Sequence, residues 1–360
     1  MKIITVTSQK AYNYGAVLQT YALHKTMISL GYENLLLDHE IKNDAKRKKS
    51  LKVFLRDFIL ACANIIHKRE LERFKENFRN FLNENIASTK LYHSIEDIMN
   101  EPPVADIYLT GSDQVFALGN QLVPVRYLEF GEPKTPRVSY AASLGSYVMN
   151  DKELAYIKER LSSFSKISIR EKCGSEYLKS MIGIESMVHI DPVFLLSVAQ
   201  WEALLPTHNR IDGKYILIFP MLNNKNLQRV LEHVKKEVDL PVISIQTKFI
   251  KTVKADQYLF DVSVPEFLSM IRNAAVVIST SFHATAFSII FKRPFYSLVG
   301  KYKPERAQNL GELFNLHSRV ISEDETVFPA IETDFCCVDD VLEKERARSM
   351  AFLSSLQELL

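Results

Sequence analysis

Five consecutive residues, Ser281-Phe282-His283-Ala284-Thr285, have the types and spacing that chemistry at an anion needs. They stand between a Val-Val-Ile run and an Ala-Phe-Ser-Ile-Ile run, so they read as the turn from a strand into a helix. A helix N-terminus presents N–H groups without intrahelical partners and a partial positive charge, which suits a phosphate or carboxylate. An imidazole in that turn, His283, can give or take a proton near neutral pH. The plainer alternative is that Ser281 or Thr280 caps the helix and His283 is structural; on the segment alone the two readings balance.

Other polar residues fall where strands should end. Arg170 closes one strand, where packing explains an arginine poorly and a bidentate grip on carboxylate or phosphate explains it better. Its alternative is an ion pair with Glu171 or Asp191. Lys301, Lys303 and Arg306 could add positive charge to the His283 pocket, or form a solvated basic loop. Asn13, Tyr14 and Gly15 occupy the first strand–helix turn, and the glycine lets a ligand approach the backbone. In Gly111-Ser112-Asp113-Gln114, Asp113 could take a proton from a sugar hydroxyl, or Gln114 could orient one; the alternative is a helix cap at Ser112 or Asp113. The chain has no GxGxxG or Walker sequence, no HExxH and no GxSxG, so its motifs do not point to a dinucleotide, ATP, zinc or α/β-hydrolase site. No metal is expected.

Elements that put these residues at strand ends alternate as β and α, the rhythm of parallel, doubly wound sheets. The expected fold class is α/β, with two Rossmann-like domains facing a cleft. The first domain covers residues 1–197, with strands near Ile3–Thr7, Asn34–Asp38, Ala105–Thr110, Val138–Ala142 and Lys166–Ile169. A pair of helices at about residues 42–82 reads as an insertion in it. The second domain covers residues 198–338, with strands near Tyr215–Phe219, Val242–Gln246, Ala275–Ser279 and Pro294–Leu298. Residues 339–360 form an amphipathic helix expected to pack back on the first domain.

The 360 residues suit two domains, and 47% hydrophobic against 24% charged residues suits globular cores. A net charge of +2 argues against a surface that coats nucleic acid, leaving room only for a local basic patch. The four cysteines, Cys62, Cys173, Cys336 and Cys337, form no CxxC pair and read as thiols of a reducing compartment. The N-terminus reads as a strand rather than a signal peptide, and no run reaches membrane-spanning length, so the expected location is the cytoplasm.

The ordered set of motifs resembles the polysaccharide pyruvyl transferase family. The matching pieces are Asn13-Tyr14-Gly15-Ala16-Val17-Leu18-Gln19, Gly111-Ser112-Asp113-Gln114-Val115, Ser139-Tyr140-Ala141-Ala142-Ser143 and Ser168-Ile169-Arg170-Glu171. Asp191-Pro192-Val193-Phe194-Leu195-Leu196, the Thr280–Ser288 stretch and Arg293-Pro294-Phe295 complete it, over residues 1 to about 320. Two departures stand out: Phe116-Ala117 where many members have Trp-Asn, and Ala284 where glycine is common. The first is expected to alter acceptor contacts.

The resemblance implies a glycosyltransferase-B-like pair of Rossmann-type domains. It implies phosphoenolpyruvate as co-substrate, with no further cofactor, and a sugar acceptor of a cell-surface polysaccharide or its lipid-linked precursor. The product would be a pyruvate ketal. Arg170 and His283 become the catalytic candidates, with Ser281 and Lys303 beside them at the donor, on the second-domain side. Asn13, Tyr14, Gly15, Asp113 and Gln114 become the acceptor candidates in the first domain. A lipid-linked acceptor would draw the enzyme to the inner membrane face, where Lys46–Lys52 with Phe54, Leu55 and Phe58 could lie on anionic lipid; the alternative is a basic helix packed on the first domain. Rival readings on the same architecture are a nucleotide-sugar glycosyltransferase and a non-catalytic sugar- or nucleotide-binding protein.

Overall fold

The computed structural model describes residues 1–8, 12–41, 66–118, 122–145, 147–247, 253–300 and 305–360. Lys46–Lys52 with Phe54, Leu55 and Phe58, and likewise Lys301 and Lys303, lie outside the described residues. Two units emerge from the contacts within the chain. Unit 1 comprises Met1–Lys46, Leu82–Leu196 and Leu342–Leu360; unit 2 comprises Arg47–Phe81 and Ser197–Val341.

Unit 1 begins with β1 (Lys2–Val6), α1 (Tyr14–Ser29) and β2 (Glu33–Leu36). After α2 (Lys68–Asn85) come α3 (Ile95–Asn100), β3 (Ile107–Gly111), α4 (Val123–Arg126) and β4 (Arg137–Tyr140). Then follow α5 (Asp151–Leu161), β5 (Ser168–Ile169), α6 (Lys172–Ile182) and β6 (Met187–Val188). Four strands make a parallel sheet in the order β2-β1-β3-β4, and β5 pairs parallel with β6. Single bridges from Val138 to Lys166 and from Ala142 to Ile169 set β5 beside β4. β1 and β3 are apolar and buried on both faces, as strands inside a parallel sheet must be. Asn13 caps α1, whose residues are nearly all buried, and Gly31, at φ +84°, turns the chain out of it.

β4 stops at Tyr140, short of the expected Ala142, because Ala141 turns into left-handed backbone at φ +47°. The C-terminal helix α12 (Val338–Ser354) packs on unit 1. Tyr32 Oη donates to Leu353 O at 2.8 Å, and Arg346 donates to the carbonyls of Phe194 and Leu196 at 3.0 and 3.1 Å.

Unit 2 takes up α2 as far as Phe81. Phe74, Phe78 and Phe81 form the buried stripe of that helix, and Asn77 Nδ2 donates to Asp261 O at 3.0 Å. The stretch expected to insert into the first domain therefore groups, where it is described, with the second. A short α7 (Val198–Glu202) leads into β7 (Ile216–Phe219), α8 (Leu227–Glu237), β8 (Val242–Ile245) and β9 (Gln257–Leu259). They are followed by α9 (Val264–Asn273), β10 (Val276–Ser279), α10 (Phe282–Ile290), β11 (Phe295–Leu298), α11 (Glu305–Leu313) and β12 (Val320–Ile321). All six strands are parallel, in the order β9-β8-β7-β10-β11-β12. Counted within the unit this is the 3-2-1-4-5-6 order of Rossmann sheets, with its reversal between β7 and β10. The core joins Ile216, Ile218, Val276 and Ile278 of the sheet to Leu227, Val230, Leu231 and Val234 of α8. β9 and β12 are edge strands of three and two residues, too short to show a periodic pattern, and went unread in the sequence. Among the described residues no helix is long and apolar enough to cross a membrane.

Candidate functional site

In unit 1 the candidate residues collect at the carboxyl ends of β1, β3, β4 and β5. Ser112 and Asp113 follow β3 in left-handed backbone, at φ +28° and +60°, and Ala141 does the same after β4. Left-handed backbone at a non-glycine residue costs on the order of 1–3 kcal/mol and persists where surrounding bonds over-determine it. Here Ser112 N donates to Tyr140 O at 2.8 Å, and Asp113 O accepts from Val115 N and Ser143 N at 2.8 and 2.9 Å. The turn is built rather than relaxed, which is characteristic of ligand sites.

Arg170 sits within this layer. Its Nε lies 2.9 Å from Glu171 Oε1 and its Nη1 2.7 Å from Asp191 Oδ2, with the three side chains 4%, 2% and 0% exposed. Asp191 Oδ2 also accepts from Ser112 Oγ at 3.1 Å, while Oδ1 accepts from Val193 N at 3.1 Å. Burial works against the guanidinium charge, but Glu171, Asp191 and Asp113 outweigh it and hold the Arg170 pKa above its ordinary value. The ion-pair alternative weighed for Arg170 thus holds with both acids at once.

The acceptor candidates of unit 1 are not equally placed to touch a ligand. Asn13 Oδ1 accepts from Gly15 N and Ala16 N at 2.9 and 3.3 Å, so its side chain is the cap of α1. Tyr14 is buried, with 1% of its surface exposed. Asp113 and Gln114 are half-buried beside the strained turn. Gly145 has φ +70°, and a Cβ there would lie 2.9 Å from Gln114 Oε1, so the glycine makes room for the amide. Phe116 is fully buried, with its ring centroid 4.8 Å from that of Tyr127 and 5.9 Å from that of Phe164. Of the departing pair, Phe116 therefore lies in the core, while Ala117 is half-buried near Gly145.

Arg126 was missed in the sequence. It ends α4, half-buried, with Nη2 3.4 Å from Ser8 Oγ just past β1 and with Asp113 as the acid that acts on it. Burial lowers its pKa and Asp113 opposes that shift. An arginine within the apolar run Leu122–Leu128 was the available signal.

In unit 2, Ser281 is the cap of α10: its Oγ accepts from Ala284 N at 3.4 Å, and its own N–H donates to Ser279 Oγ at 3.0 Å. Thr285 Oγ1 bonds Ser281 O at 3.1 Å and Ser297 Oγ at 2.8 Å, tying the first turn of α10 to β11. The body of the helix is buried, with Phe287 edge-on to Trp201 at 4.9 Å. This fixes the direction in which its positive end points. His283 is 6% exposed and meets the Phe282 ring at 5.0 Å. The Arg306 guanidinium lies over that same ring, 5.0 Å from its centre. Of the expected cations, Arg306 is thereby brought to the α10 terminus. Arg170 belongs to unit 1, and Ser281 and His283 to unit 2. Among the described residues no group of three His, Cys, Asp or Glu side chains is placed to hold a metal ion.

Chemically, unit 1 offers a strained turn with an acid and an amide. Unit 2 offers a helix N-terminus with an imidazole in its first turn and a guanidinium nearby. A model of the family described as polysaccharide pyruvyl transferase matches residues 13–302. Among solved structures, the Staphylococcus aureus MnaA–UDP co-structure aligns with a TM-score of 0.51 at 11% identity, over 98% of this chain and 90% of that one. A Methanocaldococcus jannaschii UDP-GlcNAc 2-epimerase in complex with UDP-GlcNAc and UDP aligns at 0.49 and 13% identity, over 99% of each chain. The Escherichia coli ADP-heptose LPS heptosyltransferase II aligns at 0.41 and 8% identity, over 99% of this chain and 100% of that one. At such identities the likeness concerns the fold alone: two Rossmann-like units of the glycosyltransferase-B kind. No match was found among curated proteins.

Proposed function

The chain belongs to the polysaccharide pyruvyl transferase family, and from that premise we propose that it transfers the enolpyruvyl-derived group of phosphoenolpyruvate to a sugar. The sugar belongs to a cell-surface polysaccharide or its lipid-linked precursor, and the product is a pyruvate ketal. The methylene carbon of the donor gains a proton, and the carbon bearing phosphate becomes electrophilic. One sugar hydroxyl adds there, inorganic phosphate leaves, and a second hydroxyl closes the ketal. Of the two hydroxyl protons released, one balances the new methyl group and the other leaves with phosphate or solvent.

The observation that carries this reading is the Ser281-capped terminus of α10, with His283 in its first turn and Arg306 stacked on Phe282. A donor with a phosphate and a carboxylate needs that charge. His283 is the general acid–base and Ser281 and Lys303 hold the donor. Asp113 and Gln114 serve the acceptor hydroxyls. Arg170 has less support as a donor ligand than His283, because Glu171 and Asp191 already take two of its nitrogens. Asn13 and Tyr14 act through the backbone of the α1 turn with Gly15, since one side chain caps the helix and the other is buried.

The reading is tested by incubating the protein with phosphoenolpyruvate and a panel of lipid-linked or nitrophenyl sugars, followed by mass and by release of phosphate. A pyruvyl ketal on one acceptor is the expected result. Release of a nucleotide from a nucleotide sugar, with no change in phosphoenolpyruvate, would replace this reading with the glycosyltransferase one. The expected cytoplasmic location and contact with the inner membrane face belong to the same proposal. Liposome flotation with and without charge reversal at Lys46–Lys49 tests the contact, and no binding by the unmodified protein discards it.

A further inference from the structure

A pocket of about 370 Å³ opens at the carboxyl ends of β7, β10 and β11. β7 and β10 are the neighbours between which the strand order of unit 2 reverses, the place where open parallel sheets take ligands. The volume is near the lower end of the range for small-molecule sites, about 300–1,000 Å³.

Its wall is fixed by two side chains that are fully committed. Thr280 Oγ1 accepts from Leu222 N at 2.8 Å, and Asn224 donates to Val299 O at 3.1 Å while accepting from Asn226 N at 2.8 Å. These bonds bind the loop after β7 to the ends of β10 and β11. Two polar groups in the lining remain for a ligand, the exposed Asn223 amide and the half-buried Glu323 carboxylate. The acids next to Glu323 have partners: Asp324 meets Lys225 at 3.2 Å, and Glu325 accepts from Ser322 N at 2.9 Å. Among the described residues Glu323 forms no ion pair, and none of the lining residues is a cation. Leu298 and Leu222 supply the apolar part of the wall, Leu222 with 61% of its surface exposed.

The charge that the described lining brings to the pocket is the Glu323 carboxylate, which repels the phosphate and carboxylate of phosphoenolpyruvate. It suits donors of hydrogen bonds. A carboxylate accepts from two hydroxyls, an amide gives and takes one bond each, and leucines cover the C–H face of a ring. We propose that the pocket binds a neutral sugar ring of the acceptor, with Glu323 accepting from its hydroxyls and Asn223 beside them. The proposal rests on the reading that the acceptor is a sugar, and it adds a sugar subsite in unit 2 to the acceptor residues of unit 1.

Ligand-observed NMR titration of the full chain tests it without turnover, using methyl glycosides of galactose, mannose and N-acetylglucosamine, uridine, and phosphoenolpyruvate. At least one glycoside should bind. Glu323→Gln should weaken it about tenfold and Asn223→Ala about fivefold, as expected for lost hydrogen bonds to a charged and a neutral group. Phosphoenolpyruvate affinity should not change in either variant. Glycoside binding that ignores both substitutions, or uridine binding in place of every glycoside, overturns the sugar subsite. Loss of phosphoenolpyruvate binding in Glu323→Gln overturns it too, by making the pocket part of the donor site. Wild-type protein that binds a glycoside through Glu323 but not phosphoenolpyruvate supports the subsite while removing the proposed donor.

Discussion

Arg170 Nη1 lies 2.7 Å from Asp191 Oδ2, with neither side chain more than 4% exposed. Each has given up hydration, which the other helps to replace together with Glu171, Ser112 and the Val193 N–H. Removing the guanidinium leaves two buried carboxylates without their cation, which typically costs about 3–5 kcal/mol. Arg170→Ala is expected to lose stability of that order in urea unfolding. Its loss of turnover would then partly reflect unfolding, so donor affinity must be measured on the folded fraction. A variant within about 1 kcal/mol of the parent would show that the cluster is not holding the site together.

The Gly145–Gln114 contact makes a sharper test of the unit 1 turn. At φ +70° a side chain is strained, and a Cβ would meet the Gln114 amide oxygen at 2.9 Å. Gly145→Ala is expected to cost about 1–3 kcal/mol and to raise the KM for the sugar more than it changes the KM for phosphoenolpyruvate. An equal effect on both substrates would detach Gln114 from the acceptor.

Much of this arrangement was legible in the sequence because parallel-sheet strands are short apolar runs that end abruptly in polar residues. Ser281, His283, Arg170, Asp113 and Gln114 stand out for that reason, and each does lie at a strand end. What the sequence could not show was which polar groups satisfy one another. Arg170 reads equally as an anion ligand or as the partner of Glu171 or Asp191 until Asp191, 21 residues on, is seen beside it. Asn13 reads as a ligand-facing amide until its oxygen is seen on two N–H groups of its own helix. Glu323 and Arg126 were overlooked for the converse reason. Each belongs to an unremarkable segment, and only the fold carries it to a strand end.

His189 gives unit 1 a pH dependence. Its Nδ1 is 2.8 Å from Ser168 Oγ and its ring packs on Phe352 at 4.6 Å. Burial first, and then the charge of Arg348, pull its pKa down to about 4. The unfolded chain, at about 6.5, therefore binds the proton more readily than the folded one. Stability is complete above pH 6.5 and is lost as pH falls toward 4. With about 1.4 kcal/mol per unit, the loss is roughly 2–3 kcal/mol. Urea unfolding at pH 7 and pH 4.5 should show it, and His189→Gln should flatten this part of the dependence. A variant with the same pH slope as the parent would assign the loss to other groups.

His283 is the residue on which the proposed chemistry turns. The first turn of α10 is held by the Ser281 cap and by Thr285 on Ser297, none of which uses the imidazole. His283→Ala is expected to keep the far-ultraviolet spectrum of the parent and to lose about 2–5 kcal/mol, the usual cost of truncating a large buried side chain to alanine. Its kcat for phosphate release should fall about 10²–10⁴-fold, the usual contribution of a general acid–base, while phosphoenolpyruvate binding weakens less. His283→Asn keeps a hydrogen-bonding group in the same turn without a titrating proton. If it restores donor affinity but not kcat, the imidazole serves proton transfer. If it restores both, His283 positions the donor and the proton comes from elsewhere.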